Sequence, residues 1–444
     1  MVPIPESVIY EKLCELNPWG NYQASKLFER RLVTQLKATL TMPEATIIKG
    51  IRRCGKSAML RLLANSIAHP HQVLYVNFED PIFTKQNHMV LDQILRIYRE
   101  RHNPDQKAYL FFDEIQNIDG WEKWVRIKVD HERNHKLFLS GSSAKLLSAE
   151  IGTALTGRHL TFEAWPLSFT EFLSFQGLVL NTNSTAATLL KHKTKIRRHL
   201  REFLRYGGFP EIVLRQEPQF KSLLLAQYFD DILYRDIVER HSIRDIGTLR
   251  QLAVYGLSQS AQLTAMNRVK NLFAVPLDVA RHYFSYYNDS YLLLELPKFS
   301  YKVSERLRAP RKFFACDLGM QQFVAGLPDD RNLGWQAETI VHLHLRHKER
   351  ELYFLENGCS IDFVVLKGGK PSQLIQVCYS NLSDPRTRER EIKALQTAMD
   401  EFKLSKGLII TDDYLEVLSV GKKTICCTPL WQWLLEKSEK TDML

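Results

Sequence analysis

The residues best suited to chemistry lie between Gly50 and Ser57, where the chain reads Gly-Ile-Arg-Arg-Cys-Gly-Lys-Ser and fits the pattern GxxxxGK[ST]. An apolar stretch precedes this segment and a helical pattern follows it. In such a loop the backbone amides and the helix N-terminus face phosphate oxygens, the lysine reaches the β- and γ-phosphates, and the hydroxyl binds Mg²⁺. The pattern therefore predicts a phosphate-binding loop with Lys56 and Ser57 in these roles. The alternative is an ordinary helix start that contains glycine.

Several residues of this loop are predicted to contact the nucleotide. They are Gly50, Arg52, Arg53, Cys54, Gly55, Lys56, Ser57 and Ala58. Among them Cys54 carries a separate hypothesis, because a nearby lysine and a helix N-terminus both lower the pKa of a thiol. We expect either a reactive thiol that makes nucleotide binding sensitive to oxidation, or a small, buried and inert side chain.

A second motif ends in two carboxylates. The apolar stretch Tyr109–Phe112 is followed directly by Asp113 and Glu114. Phosphoryl transfer depends on positioning and on charge neutralisation, so a strand that delivers two carboxylates next to a phosphate loop predicts a metal ligand, Asp113, and a residue that polarises the attacking water, Glu114. The alternative is a pair of acidic residues at the start of a helix, where the helix dipole favours them. The two motifs together predict ATP and Mg²⁺ as cofactors.

The length and amino-acid composition limit the number of domains and the class of partner. The chain has 444 residues, which is enough for two to four domains, and its 60 Lys and Arg against 50 Asp and Glu give a net charge of +10. This balance favours a polyanionic partner such as DNA. The seven cysteines lack the C-x₂-C spacing of a zinc site and are predicted to be reduced thiols. With neither a secretory leader nor an apolar run of membrane-spanning length, the sequence predicts a soluble cytoplasmic protein.

The motifs need elements that hold them in place. Short apolar strands alternate with amphipathic helices over residues 27–185, which is typical of a parallel α/β sheet whose loops meet the ligand at the strands' C-terminal ends. The predicted strands are Thr46–Lys49, Val73–Phe78, Tyr109–Phe112, Leu137–Ser140 and His159–Phe162. Residues 1–26 form a lead-in without a clear period.

Beyond this core the pattern changes twice. Residues 186–240 are helical and basic, and residues 241–305 contain two short helical patterns separated by Ala274-Val275-Pro276, which suggest a winged helix-turn-helix. Residues 306–444 return to an α/β pattern that predicts a second domain. Its predicted strands are Phe313–Cys316, Glu351–Leu355, Ile361–Leu366, Leu374–Tyr379 and Gly407–Thr411.

Taken in order, the motifs resemble those of a bacterial and archaeal AAA+ ATPase family with an N-terminal P-loop core, a winged-helix region and a C-terminal restriction-endonuclease-like domain of unknown function. The Walker A loop and the Walker B strand are the two motifs described above. The other motifs that carry the resemblance are Ser140-Gly141-Ser142-Ser143, Leu155-Thr156-Gly157-Arg158, Pro166-Leu167-Ser168-Phe169, Gly207-Gly208-Phe209-Pro210 and Ile361-Asp362-Phe363.

The resemblance implies further roles in the ATPase site. Ser140 or Ser142 would act as sensor 1 on the γ-phosphate, with helix capping as the alternative, and Asn77 would restrain the catalytic glutamate unless it only shapes a turn. Arg158 would be an arginine finger supplied in trans, so that full activity needs a homo-oligomer, or else it forms a salt bridge. Pro210 would pack near the adenine, or it only breaks a helix.

In the C-terminal region the resemblance implies a nuclease-like site made of Glu338, Asp362 and the strand with Gln376 and Cys378. An active site of that class needs carboxylates for Mg²⁺ and a lysine for the attacking water. Here Gln376 replaces a carboxylate and Cys378 replaces the lysine, so we expect a degenerate, non-cleaving domain. The alternatives are an active nuclease and a set of ordinary surface carboxylates.

The winged-helix pattern also suggests a DNA contact. The candidate residues are Arg268, Lys270, Arg281 and His282. We therefore expect an ATP-hydrolysing protein that couples its nucleotide state to a winged helix and a nuclease-like domain and contacts DNA. Two other functions stay open at this point: an ATP-switched protein-interaction scaffold without DNA binding, and an active ATP-dependent DNA nuclease.

Overall fold

The computed structural model describes residues 4–20, 27–132, 134–142, 155–180, 186–326, 333–348, 350–379, 382 and 384–436. The chain divides into two compact units, residues 1–165 and residues 166–444. None of the helices within these described ranges is both long and apolar enough to cross a membrane. All seven cysteines lie within these ranges as free thiols, as predicted.

The first unit is built on a parallel sheet of five strands, β1 Ala45–Gly50, β2 Val73–Asn77, β3 Ala108–Asp113, β4 His135–Ser142 and β5 His159–Ala164. Their order in the sheet is β2-β3-β4-β1-β5. Strands β1 to β4 are buried on both faces of the sheet, as expected for a parallel sheet covered by helices, whereas the edge strand β5 is mostly half-buried. All five predicted strands are present, and the structure extends most of them by a residue or two.

The helices of this unit include one in the segment that showed no clear sequence period. Helix Glu6–Leu16 buries Ile9 and Leu13 in the main core, and this single pair of fully buried apolar side chains is too weak a signal to predict a helix. The remaining helices of the unit are Arg31–Ala38, Lys56–Ala64, Met89–Arg101 and Trp121–His131, and the 3-10 turns are Pro70–Gln72, Pro81–Phe83 and Ile115–Asn117.

The register of the sheet brings the motifs to one edge. Gly50 pairs with Ser142 of β4, and Asn77 pairs with Asp113, so the C-terminal ends of four strands meet. Gly50 also lies against β5, and a Cβ at this position would lie 2.1 Å from the carbonyl oxygen of Ala164. Glycine is therefore required where the phosphate loop leaves the sheet.

The second unit begins with helices. The amphipathic helix Lys193–Tyr206 buries Ile196, Leu200 and Phe203 and exposes several of its basic residues. It ends at Gly207, whose φ of 75° lies in the left-handed region and whose added Cβ would lie 2.1 Å from a carboxylate oxygen of Asp317. The other helices of this part are Phe169–Phe175, Ala186–Lys191, Pro210–Leu214, Pro218–Asp231, the π-helical turn Ile232–Val238, and Glu239–His241.

The next part of this unit combines helices with a three-stranded antiparallel sheet of order β6-β8-β7. The predicted pair of short helices is present on either side of Ala274-Val275-Pro276. The elements in chain order are helix Ile246–Ser258, β6 Leu263–Thr264, helices Met266–Phe273 and Leu277–Asp289, β7 Leu293–Leu296, helix Val303–Arg308 and β8 Arg311–Ala315. The sequence pattern places the residues of β8 in the C-terminal domain. Because β8 is the central strand of this sheet, a boundary between residues 305 and 306 cuts through the sheet.

The chain ends in a six-stranded mixed sheet with the order β13-β14-β12-β11-β10-β9. The strands β9 to β11 are antiparallel to one another, and β11 is parallel to β12. The strands are β9 Glu351–Glu356, β10 Ser360–Lys367, β11 Lys370–Cys378, β12 Lys406–Thr411, β13 Glu416–Val420 and β14 Lys423–Pro429, with helices Leu318–Val324, Leu333–His347, Pro385–Glu401 and Leu430–Trp433. The sequence pattern does not predict β13 and β14, because their side chains are partly polar and partly exposed.

Candidate nucleotide-binding site

The phosphate loop connects β1 to helix Lys56–Ala64. Gly55 has a φ of 98°, which favours glycine at the point where the helix begins. The Lys56 ammonium is folded back over the loop, where its Nζ donates to the carbonyl oxygens of Gly50 at 3.1 Å and Ile51 at 3.2 Å. The lysine is therefore already inside the loop that would receive phosphates, and it is held by bonds to backbone carbonyls.

The other loop residues have distinct environments. Arg52 lies 3.7 Å from a carboxylate oxygen of Glu79, Arg53 is exposed with a φ of 69°, and Ala58 is half-buried. Cys54 is fully buried, and this burial raises the pKa of its thiol although Lys56 and Arg30 act in the opposite direction. The hypothesis of a reactive thiol is wrong, because desolvation of the thiolate outweighs the neighbouring positive charges.

A buried arginine that the sequence analysis missed supports the loop. Arg30 donates to the carbonyl oxygen of Cys54 at 3.0 Å and to that of Trp165 at 2.9 Å. It therefore connects the loop backbone to the end of the first unit. No pattern marks this residue, since it lies 20 residues before the loop and outside any motif.

Asp113 is fully buried at the end of β3 and accepts hydrogen bonds from two hydroxyl groups. Tyr75 Oη donates to Oδ2 at 2.7 Å, and Ser140 Oγ donates to Oδ1. Burial raises the pKa of Asp113 and Glu114 adds to this effect, whereas the hydroxyl groups of Ser140, Ser57 and Tyr75 lower it. The loop hydroxyl and the strand carboxylate predicted to share a metal are therefore close enough to interact.

Glu114 is held in an unusual backbone conformation. Its φ of 54° and ψ of 43° place a non-glycine residue in the left-handed region, which costs roughly 1–3 kcal/mol and occurs preferentially at functional sites. Its N–H donates to Ser140 Oγ at 3.3 Å, and its carboxylate accepts a hydrogen bond from the Gln116 side chain. The carboxylate is half-buried and therefore reachable by water.

The two serine candidates for sensor 1 differ in their contacts. Ser140 is engaged with Asp113 and with the backbone of Glu114. Ser142 is buried next to Gly50 in the sheet register, and its hydroxyl has no hydrogen-bond partner among the described residues. An unpaired buried hydroxyl beside the phosphate loop suits a ligand contact. Asn77 Oδ1 accepts from the N–H of Glu79 at 2.9 Å, which is the turn role considered as its alternative.

Two predicted residues lie outside this set of contacts. Arg158 precedes β5, at the end of the sheet opposite to Gly50, and its Nε donates to Asp130 Oδ1 at 2.6 Å. That hydrogen bond raises the pKa of Arg158 and lowers the pKa of Asp130. Arg158 therefore takes no part in the site of its own chain. Pro210 begins helix Pro210–Leu214 in the second unit, a position that suits proline.

The residues of the first unit fit Mg²⁺ and ATP. A triphosphate would fit this loop, because the loop has glycine where the backbone requires it, contains a lysine and leads into a helix N-terminus. A hydroxyl and a carboxylate supply the oxygen ligands that Mg²⁺ prefers.

The predicted C-terminal site forms a buried ionic cluster. Lys312 of β8 places its Nζ 3.2 Å from Glu338 Oε2 and 3.2 Å from Asp362 Oδ1. Burial lowers the pKa of Lys312, but the two carboxylates outweigh it and raise this pKa above its ordinary value. Burial, followed by Asp362, raises the pKa of Glu338. These carboxylates are thus not ordinary surface groups, and a lysine absent from the predicted motif lies between them.

The strand β11 completes this cluster without restoring a metal site. Gln376 Nε2 donates to Glu391 Oε2 at 2.7 Å, and its Oε1 accepts from the N–H of Asp362 at 3.2 Å. Cys378 is buried nearby on the same strand. In the described ranges no group of three or more His, Cys, Asp or Glu residues is arranged to hold a metal ion.

A groove of about 510 Å³ lies between helix Leu277–Asp289 and the chain that leads into β8. Three arginines and one glutamate line it together with neutral polar and apolar side chains, and Arg311 pairs with Glu295 at 2.6 Å. Of the four predicted DNA contacts only Arg281 lines the groove. Arg268, Lys270 and His282 are exposed elsewhere on the two helices.

Comparison with protein families gives two matches. An AAA domain matches residues 42–173, and a domain of unknown function (DUF8612) matches residues 197–331. The first match covers the phosphate loop, the carboxylates and both serines. Neither of these two descriptions names a nuclease, and the restriction-endonuclease-like assignment of the C-terminal region stays a prediction.

The chain also has a weak similarity to solved structures. An archaeal Orc1 protein from Aeropyrum pernix, solved in complex with DNA, has a TM-score of 0.31 at 12% identity, covering 70% of this chain and 95% of that chain. The DnaA protein of Aquifex aeolicus has a TM-score of 0.25 at 16% identity, covering 57% of this chain and 85% of that chain. TM-scores and identities this low add nothing to the assignment of a family or a function to this chain.

The sequence relatives carry more weight. An uncharacterized protein of Haemophilus influenzae is 29% identical over 328 residues, covering 71% of this chain and 75% of the relative. An uncharacterized protein of Methanocaldococcus jannaschii is 34% identical over 405 residues, covering 88% of both chains. This chain therefore belongs to the same family as the Methanocaldococcus jannaschii protein, and with its AAA domain it is an ATPase-type P-loop protein.

Proposed function

We propose that this protein binds Mg·ATP at the Gly50–Ser57 loop and hydrolyses it with Glu114 as the residue that activates water. The observation that carries the proposal is that the phosphate loop and the buried Asp113 carboxyl group lie at the same edge of the sheet, where the Ser57 hydroxyl lowers the pKa of that carboxyl group and Glu114 follows directly. A helix start or a capping carboxylate would need no such arrangement.

Each residue of the site has a distinct task. Lys56 would exchange its bonds to backbone carbonyls for bonds to phosphate oxygens, while Ser57 and Asp113 would hold Mg²⁺. The metal ion, when bound, neutralises charge on the phosphate oxygens. Glu114 would accept a proton from the attacking water, for which its hydrogen bond with Gln116 must open.

The two serines would divide the remaining work. The unpaired hydroxyl of Ser142 is the better candidate for a contact with the γ-phosphate. Ser140 would instead fix the Asp113 carboxylate and the Glu114 backbone. Replacement of Ser142 by alanine should therefore lower turnover and leave the stability of the free protein nearly unchanged, whereas Ser140→Ala should lower both.

The test of the ATPase proposal is Glu114→Gln. Because a neutral amide cannot accept the proton of the attacking water, we expect turnover to fall at least about a hundredfold, the lower end of the range for one general acid or base. Affinity for Mg·ATP should remain within about threefold, since Glu114 does not belong to the phosphate or metal contacts. Turnover equal to that of the wild type would remove Glu114 from its role.

DNA binding is a second candidate function, and the groove of the second unit supports it. Apart from the short helix Val303–Arg308 between its last two strands, the order helix, strand, helix, helix, strand, strand over residues 246–315 is that of a winged helix. Arg281, Arg308 and Arg311 against Glu295 give this groove a net positive charge. Guanidinium groups along a groove beside an exposed helix suit phosphate contacts.

DNA binding is tested by its dependence on salt. Affinity for duplex DNA should fall steeply between 50 and 200 mM salt, because each phosphate contact releases counterions. The double variant Arg281→Ala with Arg308→Ala should reduce the slope of this dependence by about 2. Lys422→Ala, an exposed charge on the β13–β14 hairpin, serves as the matched control. Binding that is insensitive to salt, or unaffected by the arginine variant, would favour a scaffold that contacts protein partners only.

The C-terminal region is proposed to be a non-cleaving, restriction-endonuclease-like domain. Helix Leu333–His347, strands β9 to β11, helix Pro385–Glu401 and the parallel strand β12 follow one another in the order of that core. The Lys312 ammonium lies between the two carboxylates that a metal ion would need. Incubation with DNA and Mg²⁺ or Mn²⁺ should produce no cleavage, and cleavage that Asp362→Ala abolishes would overturn this proposal.

A further inference from the structure

Tyr75 is a buried tyrosine that contacts the metal-binding carboxylate from the neighbouring strand. It lies in β2, its exposure is 2%, and its hydroxyl donates to Asp113 Oδ2 at 2.7 Å. Burial and the charge of Asp113 raise the pKa of Tyr75 well above its ordinary value. The hydroxyl therefore keeps its proton at neutral pH and acts as a hydrogen-bond donor.

The ring of Tyr75 is fixed by the helix that follows the phosphate loop. The guanidinium carbon of Arg61 lies 3.3 Å from the centroid of the tyrosine ring. A guanidinium group stacked on an aromatic face is attracted by the ring and limits its motion. Because Arg61 belongs to helix Lys56–Ala64, Tyr75 is in contact with both the loop side and the carboxylate side of the site.

The backbone of Tyr75 is held by the N-terminal segment. Its N–H donates to Asn17 Oδ1 at 2.6 Å, and Asn17 Nδ2 donates to its carbonyl oxygen at 2.9 Å. Since β2 is the last strand on its side of the sheet, no strand supplies these bonds, and the buried amide of Asn17 takes that place. Backbone, ring and hydroxyl of Tyr75 are thus each held by a different part of the first unit.

We propose that Tyr75 is a positioning residue for the magnesium site, and that its hydroxyl fixes the Asp113 carboxylate in the orientation that it needs to share Mg²⁺ with Ser57. This inference rests on the proposed binding of Mg·ATP. Each carboxylate oxygen has two lone pairs, so the bonds from Tyr75 and Ser140 leave acceptor capacity for a metal ion or its water ligands. Without the tyrosine hydroxyl, metal binding would have to order the carboxylate itself.

The expected change in Mg²⁺ affinity follows from the free energy that such a hydrogen bond contributes. A hydrogen bond to a charged group corresponds to roughly a ten- to hundredfold change in an equilibrium constant. In Tyr75→Phe, the Mg²⁺ concentration that gives half-maximal binding of a fluorescent ATP analogue should therefore rise at least about tenfold. Affinity for the same analogue in EDTA should stay within about twofold, because the phosphate loop is unchanged.

Tyr98→Phe is the matched control. Tyr98 is equally buried in the first unit, and its hydroxyl donates to the carbonyl oxygen of His71 at 2.7 Å, away from the site. Both variants should lower the unfolding temperature by similar amounts, whereas only Tyr75→Phe should shift the Mg²⁺ midpoint. If Tyr75→Phe does not fold, Asn17→Ala replaces it, since loss of the backbone bonds of Tyr75 should raise the same midpoint.

An Mg²⁺ midpoint that is unchanged in the folded Tyr75 variant, or shifted equally in Tyr98→Phe, overturns the inference while leaving the ATPase proposal intact. Wild-type protein that binds the analogue neither in EDTA nor in Mg²⁺ overturns the proposed function and this inference together. The two failures are therefore distinguishable in one titration series.

Discussion

Replacement of Lys312 by methionine should destabilise the second unit strongly. Lys312 lies 3.2 Å from both Glu338 and Asp362, and the side chains of all three residues are at most 16% exposed. Methionine keeps the length of the side chain but leaves two buried carboxylates without a cation. Removal of one partner from a buried ion pair costs about 3–5 kcal/mol, and we expect a loss of this size in the free energy of unfolding at pH 7.5.

The assay is urea unfolding followed by tryptophan fluorescence at several pH values. In Lys312→Met the Glu338 carboxyl group keeps the burial that raises its pKa and loses the ammonium that lowers it, so the folded state binds more protons than the unfolded state does. Stability of the variant should therefore rise as the pH is lowered from 8 to 5, and its deficit against wild type should shrink. Further replacement of Glu338 by glutamine and Asp362 by asparagine should recover most of the loss.

Lys302→Met provides the matched control, because its Nζ lies 3.1 Å from Glu305 Oε1 in a pair whose side chains are 77% and 58% exposed. An exposed pair contributes about 0–1 kcal/mol. The reasoning is refuted if Lys312→Met stays within about 1 kcal/mol of wild type, a limit well below the range for buried pairs, or if its deficit does not depend on pH.

Three other predictions follow from single contacts. Gly207→Ala should cost more than about 2 kcal/mol in urea unfolding because its Cβ would clash with Asp317, whereas Gly177→Ala, with a φ of 75° in open space, should cost about 1 kcal/mol. Burial raises the pKa of Asp317 to about 6. The folded state then binds the extra proton, so stability should fall by roughly 3 kcal/mol as the pH rises from about 3 to about 7, and Asp317→Asn should flatten this profile. Arg158→Ala should leave ATP affinity unchanged and lower turnover at least about tenfold, because an arginine finger contributes roughly a factor of 10³–10⁵. Unchanged turnover would leave this residue only its salt bridge.

The sequence predicted the parallel sheet and the two main motifs because both are local. Strands β1 to β4 each contain a short apolar run, and the phosphate loop and the Walker B strand have fixed spacings. The helix Glu6–Leu16 escaped prediction because its contact with the sheet depends on residues far along the chain.

The residues that the sequence did not reveal act through distant contacts. Arg30 meets Cys54 across 24 residues, and Tyr75 meets Asp113 across 38. Lys312 reaches Glu338 and Asp362 from a strand that pairs with β6 and β7. A pattern in one segment cannot indicate such partners. For Cys54 the neighbouring residues favour a low thiol pKa, and burial, which the sequence pattern does not show, reverses this effect.

The central claim is that the phosphate loop and the end of β3 together hold Mg·ATP. Calorimetric titration of wild-type protein and Lys56→Ala with a non-hydrolysable Mg·ATP analogue tests it most directly. We predict saturable binding of one nucleotide per wild-type chain and a loss of affinity of at least about tenfold in the variant, since a charge-assisted bond to phosphate corresponds to that range. Folded wild-type protein that binds no nucleotide, or a variant that binds as tightly as the wild type, would contradict it.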